Sequence, residues 1–172
     1  MLDFKPNYTF EINNSKSFFE KLLQEYKDFD TDHLNPRFAM NCAINSWHLS
    51  DWTFQEFFKS DNRFQNSIEI VDGEKKVFSG LLKYQKYLIK KCPDLKYMRS
   101  ITNGTKHCIS NKKNNSEKTE THIGDYNPKD FSRQDFDVAR FVIKLKNGSS
   151  IDFEESLLKT IEFWKDFIEN PT

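Results

Sequence analysis

The chain has 172 residues, no formal net charge, and 37% hydrophobic against 30% charged residues. Those values fit one soluble globular domain with a sizeable core, and they exclude a polycation that coats nucleic acid or membrane along its whole length. Aromatic content is 15%, mostly from 17 Phe, while five Gly and five Pro point to long regular elements with few turns.

Residues 1–13 read as an extended lead-in, with alternating Tyr8, Phe10 and Ile12 giving a short strand. Asn14 or Ser15 can cap a first helix, in which Phe18, Phe19, Leu22, Leu23, Tyr26 and Phe29 recur at helical spacing. Pro36 suits the first turn of a second helix spanning Pro36–Lys59. Between Arg37 and Gln55 its only formal charge is Asp51, and its apolar residues point in nearly every direction. Such a helix belongs at the centre of a bundle.

A connection follows over Asp61–Ser79, turning at Asp72-Gly73, with Ser67–Val71 either a brief strand or a mobile stretch. The third helix covers Ser79–Lys91 and is interrupted at Cys92-Pro93, since proline lacks an N–H and disfavours helix in the residue before it. Pro93 opens a fourth helix that runs to about Ser110. Residues 111–131 read as an exposed polar loop. Val138–Leu145 and Ser149–Phe153 then flank Asn147-Gly148, a strong hairpin signal, and Glu154–Glu169 forms the last helix. The expected fold is mainly α: a bundle of four to five helices with an appended β-hairpin before the C-terminal helix, forming one domain over 1–172.

Two helices carry the polar groups of interest. On the second, Asn41, Asn45, His48 and Trp52 form one stripe with Asp51 beside it. A buried amide without a partner costs on the order of 1–3 kcal/mol, so a helix, water or a ligand must face that stripe. Either it knits the bundle together, or His48 and Asp51 act as an oriented base with Asn45 in the same wall. Metal binding there would need His107 or His122, which lack supporting spacing, and neither a metal nor a cofactor is expected.

On the fourth helix, Arg99, Asn103, Lys106 and His107 share one face. Ordinary amphipathicity accounts for such a face. A site accounts for it too, because Arg and Lys hold phosphate or carboxylate and His exchanges protons near neutral pH. Gly104 costs the helix about 1 kcal/mol relative to Ala, which close packing or ligand approach would offset. Between Lys83 and Lys113 nine basic residues stand against one acid, Asp94. That stretch is either a solvated helix face or a surface for phosphate.

Other signals are negative. Cys42, Cys92 and Cys108 form no CxxC pair, so neither a disulfide framework nor a zinc knuckle is indicated. No Gly-rich phosphate loop, GxSxG or HExxH is present, and Asp125, Asp130, Asp135 and Asp137 lack calcium-loop spacing. MLDFKPNYTF has no basic start or long apolar run, and no stretch nears the roughly 20 apolar residues of a membrane span. A cytoplasmic protein with no membrane partner is expected.

The order WHLSDW, then CPDLKYMRSITNGTKH, then a hairpin at Asn147-Gly148 and a closing IEFWKDFI resembles a group of small bacterial proteins of unassigned function over residues 38–168. More distantly, Arg99-Ser100 followed by His107 is similar to the motif of the HEPN superfamily of helical bundles. Many of those are metal-independent ribonucleases of toxin and phage-defence systems, completed by dimerisation. The seven residues between Arg99 and His107 are one more than that motif holds. The resemblance implies RNA as substrate, a homodimer, Arg99 stabilising phosphate charge and His107 moving the proton at the 2′-hydroxyl or the leaving oxygen. The alternative is a non-enzymatic module that binds a partner protein or a small anionic ligand. In either case Asn45, His48, Asp51, Asn103 and Lys106 form the candidate ligand wall, with Arg99 and His107 the candidate catalytic pair.

Overall fold

The computed structural model describes residues 9–106, 118–125 and 137–171. Five helices dominate: α1 (Ser15–Thr31), α2 (Pro36–Thr53), α3 (Gly80–Lys91), α4 (Leu95–Lys106) and α5 (Phe153–Glu169). Each start that carries a cap is fixed by a local bond that meets an otherwise orphaned backbone N–H. Asn14 Oδ1 accepts from Ser17 N at 2.7 Å while Ser17 Oγ accepts from Asn14 N at 3.2 Å, closing a reciprocal capping box. Asn35 caps α2 ahead of Pro36, Ser79 caps α3, and Asp152 caps α5. Glu154 and Glu155 in the first turn of α5 oppose its positive dipole end.

The core lies around α2, which packs against all four other helices. Leu22 and Phe29 of α1, Cys42, Ala43 and Leu49 of α2, Tyr84 and Leu88 of α3, Leu95 and Met98 of α4, and Leu157 and Trp164 of α5 are almost wholly withdrawn from water. Past Thr53 the chain widens into a π-turn, Phe54–Phe58, rather than holding an α-helix to Lys59. That turn buries Phe54 and Phe58 against α3, where the Phe58 and Tyr84 rings stack at 4.9 Å. A 3-10 turn, Asn62–Phe64, adds Phe64 edge-on to Tyr84 at 5.1 Å.

Two small antiparallel sheets complete the fold. Strands β1 (Ser67–Val71) and β2 (Glu74–Phe78) pair from Ser67↔Phe78 to Val71↔Glu74. Asp72 and Gly73 between them have φ of 55° and 78°, the left-handed pair that a two-residue hairpin turn requires. The second sheet has the order β3-β4-β5, with β3 Lys118–His122, β4 Arg140–Lys144 and β5 Ser150–Asp152. The expected hairpin at Asn147-Gly148 is therefore present, and its strand β4 buries Val142 and Ile143.

Three local expectations are corrected. Residues 118–122, read as part of a polar loop, form edge strand β3 on β4. Lys-Thr-Glu-Thr-His is mostly exposed there, so backbone bonds rather than an apolar period hold it, and its charges suit an open edge. The lead-in around Phe10 is a turn, not a strand: Ile12 N donates to Thr9 O at 3.1 Å and Phe10 has φ 54°. Gly104, a candidate for close packing, is instead exposed, while α4 buries Leu95, Tyr97, Met98 and Thr102. Tyr8, the remainder of the expected loop over 111–117 and 126–131, and the end of helix four beyond Lys106 lie outside the described residues.

Among the described residues no helix is long and apolar enough to cross a membrane. Two glycines separate packing from propensity. A Cβ at Gly80 would run into the Phe64 carbonyl, whereas one at Gly104 meets nothing within 4 Å among the described residues. Urea unfolding should show Gly80→Ala destabilising by about 1–3 kcal/mol, and Gly104→Ala stabilising by up to about 1 kcal/mol.

Candidate functional site

The polar stripe of α2 is divided between its neighbours. At its N-terminal half, Lys21 of α1 donates to Glu25 Oε1 at 2.9 Å and to Asn45 Oδ1 at 3.1 Å, while Asn41 Nδ2 donates to Glu25 Oε2 at 2.9 Å. Burial alone would raise the Glu25 carboxyl, but the bonds from Lys21 and Asn41 outweigh it and hold the group below its ordinary value. Asn45, only 5% exposed, thus faces α1 through Lys21. Trp52 extends the stripe by stacking on Phe18 at 4.7 Å.

At the C-terminal half the surroundings change. His48 and Asp51 are half-buried, and Gln85 of α3 donates to Asp51 Oδ1 at 3.3 Å. Burial lowers the His48 pKa, and the Lys106 and Lys21 charges add to that, against the pull of Asp51. Burial likewise raises the Asp51 pKa, opposed by His48, Lys106 and the Gln85 bond. Lys106 of α4 therefore bears electrostatically on both members of the pair. Histidine and carboxylate, each pushed toward its neutral form, have their protonation equilibria drawn toward each other.

Helix α4 meets α2 along one seam. Thr102 Oγ1 donates to the Ala43 carbonyl at 3.3 Å, and the Arg99 guanidinium lies 5.7 Å from the centre of the Trp47 ring. Arg99 is half-buried by that stacking, whereas Asn103 and Lys106 are exposed. Of the candidate residues, the structure brings Arg99, His48, Asp51 and Lys106 to the α2–α4 seam and sends Asn45 to α1. His107, the second of the candidate catalytic pair, lies outside the described residues.

Lys21 and Gln85 complete the polar surroundings of α2 and were not singled out from the sequence, because each sits on an ordinary amphipathic helix. The small hydroxyls of α2 were also passed over, yet they anchor the bundle. Ser46 Oγ donates to Thr160 Oγ1 at 2.9 Å, Trp164 Nε1 donates to the Ser46 carbonyl at 2.9 Å, and Tyr84 donates to Thr53 Oγ1 at 2.9 Å. Their only signal was position on an almost uncharged helix.

The pH response follows from the two shifts. Neutral His48 is favoured in the fold, so its stabilising contribution is full above its ordinary value of 6.5 and is lost as pH falls through the lower folded value. Asp51 runs the other way: its contribution is full below its ordinary value of 3.8 and is lost as pH rises through the raised folded value. Urea unfolding between pH 7 and pH 5 should show the native chain losing stability relative to His48→Gln as pH falls. Identical slopes would mean that His48 titrates as it does in the unfolded chain. Comparison with protein-family models, with curated proteins and with solved structures gives no match to this chain.

Proposed function

We propose that this chain is an RNA-binding helical bundle, HEPN-like in carrying Arg99 on a late helix with His107 following it in the sequence, and with RNA held along α3 and α4. One observation carries the reading. Lys83, Lys86 and Lys90 recur at i, i+3, i+7 on α3, and Lys96, Arg99, Asn103 and Lys106 continue the same spacing on α4. Among the described residues none of these cations forms an ion pair with a carboxylate, although such pairs occur on α1 and α5. The one acid within that stretch of sequence, Asp94, accepts from Ser156 Oγ at 2.8 Å.

Cations left without carboxylate partners are available to neutralise phosphates and so to release the counterions condensed on a nucleic acid. Lys86 and Lys96 are also set over rings, Phe78 at 5.0 Å and Tyr97 at 4.5 Å, as is the neighbouring Lys91 over Tyr87 at 5.5 Å. The basic stretch of the sequence is thus a pair of stripes on consecutive helices, although the chain as a whole is neutral.

A second reading rests on a narrower feature. Arg99 lies over Trp47 and the Lys106 charge bears on His48 and Asp51, so both cations belong to the α2–α4 seam, which would serve as the cradle for a small anion. The two readings separate by experiment. Fluorescence anisotropy with a labelled single-stranded RNA should show affinity falling steeply between 50 and 200 mM salt, in proportion to about 0.7 per phosphate contact on a log–log scale. Lys86→Glu with Lys90→Glu should weaken binding at least about tenfold and flatten that slope. RNA cleavage without added metal, abolished in His107→Ala while binding persists, marks the ribonuclease. No RNA binding, together with stabilisation by inorganic phosphate that Arg99→Ala removes, assigns the cradle to a small anion and contradicts the RNA reading.

A further inference from the structure

A second cluster of chemistry-bearing groups lies away from the α2–α4 seam, where the end of α1 meets the start of α5. His33, just past α1, has Nδ1 3.6 Å from Glu154 Oε2 and Nε2 3.7 Å from Asp30 Oδ1. One ligand atom from each of Asp30, His33 and Glu154 can be chosen so that all three lie within 4.8 Å of one another. We propose that these three residues bind a divalent cation of the zinc class, which ties α1 to α5.

The spacing favours coordination over direct contact. Both approaches to His33 exceed the 2.7–3.2 Å of a good N–H···O bond. Ligand atoms at about 2.0–2.2 Å from a tetrahedral zinc stand about 3.4 Å apart, close to the 3.6 Å between His33 Nδ1 and Glu154 Oε2. The Asp30 contact is to the other ring nitrogen, so its carboxylate must move to reach the same ion. Two of the three ligands are already oriented. Tyr26 donates to Glu154 Oε1 at 3.1 Å and leaves Oε2 toward the histidine, and the His33 ring sits edge-on to Phe29 at 5.4 Å and 88°. Such supporting bonds hold ligands in place before a metal arrives.

Asp30 is the movable member, with its side chain 63% exposed. The cation takes His33 through Nδ1 and Glu154 through Oε2, and Asp30 swings in from the solvent side as third ligand, leaving one position for water. One imidazole with two carboxylates is a borderline nitrogen-and-oxygen donor set, which suits zinc and its neighbours in the first transition row better than magnesium or calcium. Cys42 and Cys92 are poor competitors, because both are buried and burial pushes their thiols upward, Cys42 to about 12.

The test is a zinc chloride titration of the chelator-stripped full chain, read by isothermal calorimetry and by thermal unfolding. One equivalent should bind, and at a hundredfold excess over Kd the melting temperature should rise by about 5–10 °C. Glu154→Gln and Asp30→Asn keep side-chain size and should each weaken binding at least about tenfold, whereas His48→Gln should leave it unchanged. Far-ultraviolet circular dichroism of each variant checks that it remains folded. No binding by the native chain, or either carboxamide variant keeping native affinity, overturns the proposal.

Discussion

A helix enclosed by other helices must have every polar group on it answered by a neighbour, and α2 is that helix. Its backbone and small hydroxyls are tied outward in three directions: Ser46 to Thr160 and Trp164 of α5, Thr53 to Tyr84 of α3, and the Ala43 carbonyl to Thr102 of α4. Leaving one such group unanswered costs on the order of 1–3 kcal/mol, comparable with burying a large side chain. The bonds therefore select one arrangement of the surrounding helices from the many that apolar contact alone would allow.

The same constraint divides the polar stripe. Asn41 and Asn45 are answered by Glu25 and Lys21 of α1, so that half of the stripe serves as a strut. His48 and Asp51 lie further along, where α1 gives way to Gln85 and to the charge of Lys106. Chemistry, if α2 takes part in any, belongs to that end. Arg99 stacked on Trp47 then joins the interior helix to the cationic stripes outside it.

Much of this was legible in the sequence. The helical periods of α1, α3 and α5, the cap at Asn14, the break at Cys92-Pro93 and the Asn147-Gly148 hairpin all depend on local rules, and the structure follows them. The central place of α2 was legible too, from nearly complete absence of charge. What escaped was non-local or lacked an apolar pattern. β3 is held by pairing with β4 across a long separation, and its own residues are polar. The π-turn after Thr53 arises from fitting Phe54 and Phe58 around Tyr84, which no spacing rule within α2 encodes. For the candidate site, the types of residue were readable but their partners were not. Asn45 and His48 look alike on a helical wheel, and only the position of Lys21 separates them. Asp30, His33 and Glu154 come together from opposite ends of the chain.

The account rests on α2 being the last element to open, because every other helix is bonded or packed to it. Native-state hydrogen exchange resolved along the backbone tests this most directly. Amides of residues 43–53 should exchange only through global unfolding, with protection above that of α3 and far above that of the exposed β1–β2 hairpin. Exchange in 43–53 that proceeds by local opening, at rates like those of the hairpin, would contradict it.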